Sequence, residues 1–215
     1  MFPVRPPILI RSFYNNVVWQ MPDAGKVLYL TFDDGPIPEV TPWVVEQLKA
    51  YKAKATFFCL GDNVKKYPEV YKLLLSSGHT TGNHSMNHYN GWFTQDFRYM
   101  RNVEQCQQVL DKYAETKPVD GQKLLFRPPY GKISFSQVKA LKKKYRIIMW
   151  DVLSFDYDVK LSGEQCFRNV AKYAKPGSIV VFHDSIKAEQ RLRYALPQVL
   201  KYFSEKGYVF KALRF

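Results

Sequence analysis

The sequence predicts an α/β fold, a closed or nearly closed barrel of parallel strands wrapped by helices, and three observations carry that prediction. Short apolar, β-rich runs recur along the chain, each followed by a turn signal and then by a segment of helical periodicity, as expected of parallel strands joined by crossover helices. Seven such steps occur with neither an internal repeat nor a linker. At 215 residues, with 46% hydrophobic and 16% aromatic content, the chain can bury roughly 70% of its unfolded surface as one domain. An open doubly wound sheet stays in contention. In either architecture reactive groups collect at the carboxyl ends of the strands, where the loops converge.

Residues 1–25 read as an N-terminal extension that ends in an edge strand. Segments 17–20 and 27–31 flank Pro22, Asp23, Ala24 and Gly25, a turn sequence that predicts an antiparallel N-terminal β-hairpin. Residues 26–215 then form a single domain. Its strands are expected at 27–31, 55–59, 80–83, 123–126, 146–149, 178–182 and 208–211. Helices are expected at 42–51, 68–77, 97–114, 134–143, 163–174 and 192–206. Ser162 suits an N-cap, and Gly78 and Gly207 sit where glycines that end helices belong.

Composition narrows the class. No run of 18 apolar residues exists, and the proline-rich first seven residues are too briefly apolar for a secretory signal. The chain is therefore expected to be soluble and unanchored, cytoplasmic by default, or of the cell envelope if an export signal has been trimmed. Cys59, Cys106 and Cys166 are odd in number and widely spaced, which fits buried reduced fillers better than a disulfide framework or a thiolate metal cage. The formal net charge is +13, enough to draw the protein toward anionic polymers. Neither a helix-turn-helix, nor zinc-finger spacing, nor an RNA-binding aromatic motif is present, so nucleic acid is not the expected partner. Lys139, Lys142, Lys143, Lys144 and Arg146 fall on the outer face of a helix and its end, a solvated surface. An anionic cell-wall glycan would use the same charge.

Polar groups gather at the strand ends. Asp33 and Asp34 end the first parallel strand, His84 and His88 follow the third, and Arg127 and Tyr130 follow the fourth. Asp156 follows the fifth, and His183 with Asp184 ends the sixth. The run from Thr31 to Pro36 is a turn by composition, yet adjacent carboxylates point in different directions, so one can bind a metal while the other faces a water on it. Histidines four apart on a helical turn share a face and can share a metal. With Asp34 they make the open three-ligand set of a catalytic centre. His79 precedes a strand and reads as structural. The double proline after Arg127 stiffens its loop, and a fixed loop can aim backbone N–H groups at an oxyanion. Arg127 itself can hold a carboxylate through a forked, charge-assisted pair.

In this order the segments resemble the polysaccharide deacetylase family, the carbohydrate esterases related to chitin, peptidoglycan and nodulation-factor deacetylases. The resemblance covers about residues 26–212. It rests on TFDDGP at 31–36, HSxxH at 84–88 and RPPYG at 127–131, with weaker matches at Asp156-Tyr157 and at Val181-Phe182-His183. It implies a distorted seven-stranded β/α barrel and a divalent metal, usually zinc and sometimes cobalt or nickel. Asp34, His84 and His88 would bind that metal. Asp33 would be the general base that takes a proton from the attacking water, and Arg127 would orient it. The Tyr130 N–H would help to stabilise the oxyanion. His183, tuned by Asp156, would protonate the departing amine. The implied reaction removes N-acetyl groups from an N-acetylglucosamine-containing polysaccharide, peptidoglycan-like or chitin-like.

Tyr157 stands where the family has tryptophan, Val181 where it has leucine, and Tyr89 where it has proline. Tyr157 and Val181 would line the pocket for the acetyl methyl group, together with Pro129 and Trp150, so the resemblance leaves substrate preference and acyl size open. Trp150 and Trp92 could each be a platform for a sugar face or part of the core. Two other functions compete: an O-acetyl esterase acting on acetylated polysaccharide, and a catalytically silent glycan-binding relative. The intact Asp33, Asp34, His84, His88 and His183 argue against the second.

Overall fold

Parallel strands lie side by side in the order β5-β4-β3-β2-β1-β7-β6 in the computed structural model, which describes residues 3–22, 25–114 and 122–215. The strands are β1 (Val27–Asp33), β2 (Thr56–Cys59), β3 (Thr80–Asn83), β4 (Leu124–Phe126), β5 (Tyr145–Ile147), β6 (Val152–Leu153) and β7 (Ile179–His183). A further strand, β8 (Val209–Phe210), pairs with the start of β1. The strands of β1 are buried on both faces because their side chains alternate between two cores. Leu28, Leu30 and Phe32 join the layer beneath the helices. Tyr29 packs on the opposite face with Phe58, Ile148 and Ile179. Thr31 and Asp33 share that inner face by period, and this is what turns Asp33 toward the interior of the curl.

The covering helices are α1 (Ile8–Phe13), α2 (Thr41–Ala50), α3 (Gly61–Lys66), α4 (Pro68–Ser76), α5 (Asp96–Tyr113), α6 (Phe135–Leu141), α7 (Gly163–Tyr173) and α8 (Glu189–Glu205). Ser162 caps α7 as expected, in a box closed reciprocally by Gln165, and Ser134 caps α6 with Gln137 in the same way. Gly78 and Gly207 follow their helices at φ +72° and +76°. The expected strands and helices from residue 26 onward are all present with ends shifted by a residue or a few. The additions are short: α1, α3 and β6, of six, six and two residues, too brief to show a period.

The N-terminal hairpin is not formed. On one side β1 pairs with β7, extended by Gly177 N–H donating to the Val27 carbonyl at 2.8 Å. On the other it pairs with β2 and β8, so both of its edges are occupied and no place remains for a hairpin partner. Val18 instead bridges to Ile148 and Gln20 to Ser178. Residues 17–21 thus link the residue after β5 to the residue before β7, at the side of the sheet where its two edge strands, β5 and β6, end the order. Asp23 and Ala24 of the expected turn lie outside the described residues. The extension is held by Asp151, fully buried, which accepts from Arg5 at 2.7 Å, Arg11 at 3.1 Å and Ser178 at 2.6 Å. Cys59, Cys106 and Cys166 are buried and free.

Candidate active site

The carboxyl ends of β1, β3, β4, β6 and β7 converge on one rim, and each carries a group singled out in the sequence. The backbone there is unusual. Asp34, Ser85, His88, Tyr130 and Phe155 all have positive φ, between 58° and 78°. For residues other than glycine this conformation costs on the order of 1–3 kcal/mol each, and it persists only where surrounding contacts enforce it. At β1 the Asn63 side chain donates to the Asp34 carbonyl at 2.7 Å. Asp184 accepts from Gly35 N–H at 3.1 Å and from the Thr41 hydroxyl at 2.6 Å. Gly35 is required here, because a Cβ would fall 2.0 Å from the Asp184 carboxylate. Burial pushes the Asp184 carboxyl up to about 8, against the opposing Thr41 hydrogen bond.

His84 and His88 come together through an irregular loop and not through a helical turn, as the left-handed Ser85 shows. Asn83 Oδ1 accepts from Ser85 N–H at 2.8 Å, and Asn102 Oδ1 accepts from Met86 and Asn87 N–H at 3.0 and 3.1 Å. The imidazole centroids lie 5.1 Å apart. Asp34 Oδ1 stands 3.6 Å from His84 Nε2 and 3.2 Å from His88 Nε2. Burial first and the neighbouring His84 second push the His88 imidazole down to about 4, so its contact with Asp34 is not an ion pair. Asp34 Oδ1 is buried without any hydrogen-bond partner. An orphaned carboxylate oxygen facing two imidazole nitrogens, all within 4.8 Å of one another, fits a divalent metal. His84 Nδ1 lies 2.8 Å from the Arg127 carbonyl; donation there keeps the Nε2 lone pair turned to the cluster. His79 is structural as expected: its Nδ1 accepts from Ala55 N–H at 3.2 Å.

Beside this cluster Arg127, wholly buried, donates through Nη1 to Asp33 Oδ1 and Thr31 Oγ1, both at 2.7 Å. Its other nitrogens reach the Met149 and Ile148 carbonyls at 3.0 and 3.3 Å, and Phe58 lies under the guanidinium at 4.1 Å. Burial would raise the Asp33 carboxyl, yet Arg127, then His84 and His183, outweigh it and hold Asp33 below its ordinary value. On the neighbouring strand His183 Nδ1 meets Asp156 Oδ1 at 2.8 Å, and Asp156 Oδ2 accepts the His183 N–H at 2.7 Å. Burial lowers the His183 imidazole, but Asp156, by charge and by hydrogen bond, reverses this and lifts it to about 9. Two groups of opposite proton preference therefore share one rim: an ionised carboxylate and a protonated imidazole.

The pocket residues divide. Tyr157 sets its ring edge-on to His183 at 5.0 Å and packs with Val181, Leu153 and Phe155 in an apolar wall. Pro129 is buried in the single turn Pro129–Gly131, and Tyr130 lies 4.4 Å from the His88 ring with its side chain exposed. Trp150 is partly buried: it packs against three apolar clusters and lies so close under Gly131 that a Cβ there would meet its ring at 2.4 Å. Trp92 is on the surface.

Asn63, Asn102, Thr41, Asp184 and Arg191 brace the site without belonging to any motif. Asn102 did leave a signal, one of two polar residues, with Gln107, on the buried stripe of α5 that carries Tyr99, Val103, Cys106 and Leu110. Arg191, buried in α8, donates to the carbonyls of Asp156 and Lys187, and nothing local distinguishes it from the other arginines of that helix.

A family model described as polysaccharide deacetylase matches residues 20–146. The chain is 34% identical over 196 residues to a peptidoglycan-N-acetylglucosamine deacetylase of Bacillus cereus, covering 90% of this chain and 89% of that protein. A chitooligosaccharide deacetylase of Azorhizobium caulinodans is 35% identical over 164 residues, 76% of each. Among solved structures, the peptidoglycan N-acetylglucosamine deacetylase Bc1960, in complex with 4-naphthalen-1-yl-N-oxidanyl-benzamide, superposes with a TM-score of 0.85 at 30% identity, over 97% of this chain and 95% of that one.

Proposed function

Because this chain belongs to the polysaccharide deacetylase family, we propose that it is a metal-dependent hydrolase that removes N-acetyl groups from N-acetylglucosamine units of a peptidoglycan-like or chitin-like polysaccharide. One observation carries this reading: the Arg127–Asp33 pair and the Asp156–His183 pair flank the Asp34, His84 and His88 cluster on a single rim. Amide hydrolysis needs a base for the attacking water and an acid for the leaving amine, and the two pairs supply them in the correct protonation states. Bound zinc, with cobalt or nickel as substitutes, would act as a Lewis acid on the water and on the acetyl carbonyl. Asp33 accepts the water proton while Arg127 holds its carboxylate in place. The Tyr130 N–H, in the left-handed region between Pro129 and Gly131, would donate to the developing oxyanion. His183 delivers its proton to the nitrogen as the C–N bond breaks, giving acetate and a free amine. Tyr157 and Val181 supply the wall against which the acetyl methyl group rests.

Peptidoglycan is favoured over chitin by the Bacillus cereus relatives and by the net charge of +13, which suits a polymer bearing carboxylates. Such a substrate would place the working enzyme in the cell envelope; recovery of the native protein only from the cytosolic fraction would oppose that placement. No helix among the described residues is long and apolar enough to cross a membrane.

Metal-stripped protein should release no acetate from N-acetylglucosamine oligomers, and added zinc or cobalt should restore release. Absence of release despite measured metal binding would overturn the deacetylase reading. The pH profile is a second check. As the acid, His183 must be protonated, so kcat/KM should fall as pH rises through about 9. Asp156→Asn removes the charge that raises His183 most, so the alkaline limb should move to lower pH. An unmoved limb would detach that limb from His183.

A further inference from the structure

The loop between β3 and α5 presents Trp92 and Phe93 to solvent, 58% and 83% exposed, and yet it is clamped. Trp92 N–H donates to Asn90 Oδ1 at 3.1 Å, and the indole N–H donates to the Ile133 carbonyl at 3.2 Å. Gln137 Nε2 holds the Gly91 carbonyl at 2.9 Å. Gly91 packs so tightly that a Cβ there would lie 2.5 Å from the Lys132 carbonyl oxygen. The Lys132 ammonium stands 5.3 Å from the Trp92 ring centroid and 5.6 Å from that of Phe93. Four residues before Trp92, in the same loop, is His88, whose ring meets the exposed Tyr130 at 4.4 Å. His88, Trp92 and Phe93 therefore share one loop, and Tyr130, Lys132 and Ile133 share the loop that faces it.

Single exposed apolar side chains are ordinary on protein surfaces. Two adjacent aromatic rings on a turn held by three hydrogen bonds and by the close packing of Gly91, in the same loop as His88 and beside an ammonium, form a prepared binding surface. Their geometry is set before binding, so little ordering entropy opposes contact with a ligand. The C–H faces of pyranose rings match flat aromatic faces, and an ammonium donates to sugar hydroxyls or carboxylates.

We propose that Trp92, Phe93 and Lys132 form an accessory subsite that binds sugar rings of the glycan beyond the unit being deacetylated, so that substrate length sets affinity. The proposal rests on the deacetylase reading above. Its test is steady-state kinetics of the zinc-loaded protein on the dimer and the hexamer of N-acetylglucosamine. Trp92→Ala/Phe93→Ala should lower the hexamer-to-dimer ratio of kcat/KM about tenfold, or ~1.4 kcal/mol, with the hexamer loss in KM. Gly91→Ala keeps both rings but displaces their turn, and it should lower the ratio in the same direction. A ratio unchanged in both variants, with acetate still released, would overturn the subsite and leave the deacetylase reading intact. Where the unaltered protein releases acetate from neither oligomer, the deacetylase reading fails instead. Tryptophan fluorescence titrated with the hexamer then judges the subsite alone: a saturable change lost in the double variant supports it, and no saturable change overturns it.

Discussion

Asp33→Asn should lower kcat by about a hundredfold or more, the weight of a positioned general base, while zinc affinity stays at its unaltered value. The substitution is nearly isosteric, and an amide oxygen can still accept from Arg127 at the position where Oδ1 now lies at 2.7 Å. What is lost is the capacity to take a proton. Asp34, whose orphaned Oδ1 faces the two imidazoles, is untouched, so calorimetric zinc titration separates the two adjacent carboxylates. A kcat that survives the change would remove Asp33 from the mechanism. Loss of zinc binding together with activity would assign it to the metal instead.

Arg127→Met should destabilise the fold by about 3–5 kcal/mol, the range for removing one member of a buried ion pair. Arg127 is fully buried and Asp33 nearly so, and four oxygens lose a donor at once: Asp33 Oδ1, Thr31 Oγ1 and the carbonyls of Ile148 and Met149. Burial then acts on Asp33 without its main counterweight, and the carboxyl rises toward the neutral form. Activity should therefore fall with stability. Adding Asp33→Asn to Arg127→Met removes the stranded charge and should recover part of the lost stability without recovering activity, a pairwise coupling that urea denaturation of all four proteins can read. A double variant no more stable than Arg127→Met alone would show that the loss came from the carbonyls and from Phe58, and not from the pair.

The side chains of the candidate site were legible because their signals are local. Asp33, Asp34, His84, Arg127 and His183 sit at or just beyond the ends of apolar β-rich runs, and a parallel sheet sends all such ends to one rim. The braces were not legible in the same way. Asn63 and Arg191 act on backbone groups 29 and 35 residues away along the chain, and Asp184, marked in the sequence only as a strand-end carboxylate, acts on one 149 residues away; no spacing rule reaches that far. The HSxxH segment shows the difference within five residues. Its histidines were found by type and separation, but a helical turn was the wrong vehicle, because Asn83 and Asn102 stabilise a left-handed Ser85 that the segment alone would not prefer.

The N-terminal segment and the two tryptophans mark the boundary. The turn chemistry at Pro22 and Gly25 is compatible with a hairpin, and only the occupation of both edges of β1 by β7, β2 and β8 sends residues 17–21 to Ile148 and Ser178 instead. Trp92 and Trp150 are equivalent by composition, and packing alone makes one the floor under Gly131 and leaves the other at the surface. By itself the sequence determined the order of strands and helices, the caps and the identities of the reacting groups, since periodicity, turn preference and residue chemistry act within a few residues. The tertiary structure decided edge pairing, strained loop conformations and which faces remain open, since each depends on partners brought together only when the sheet assembles.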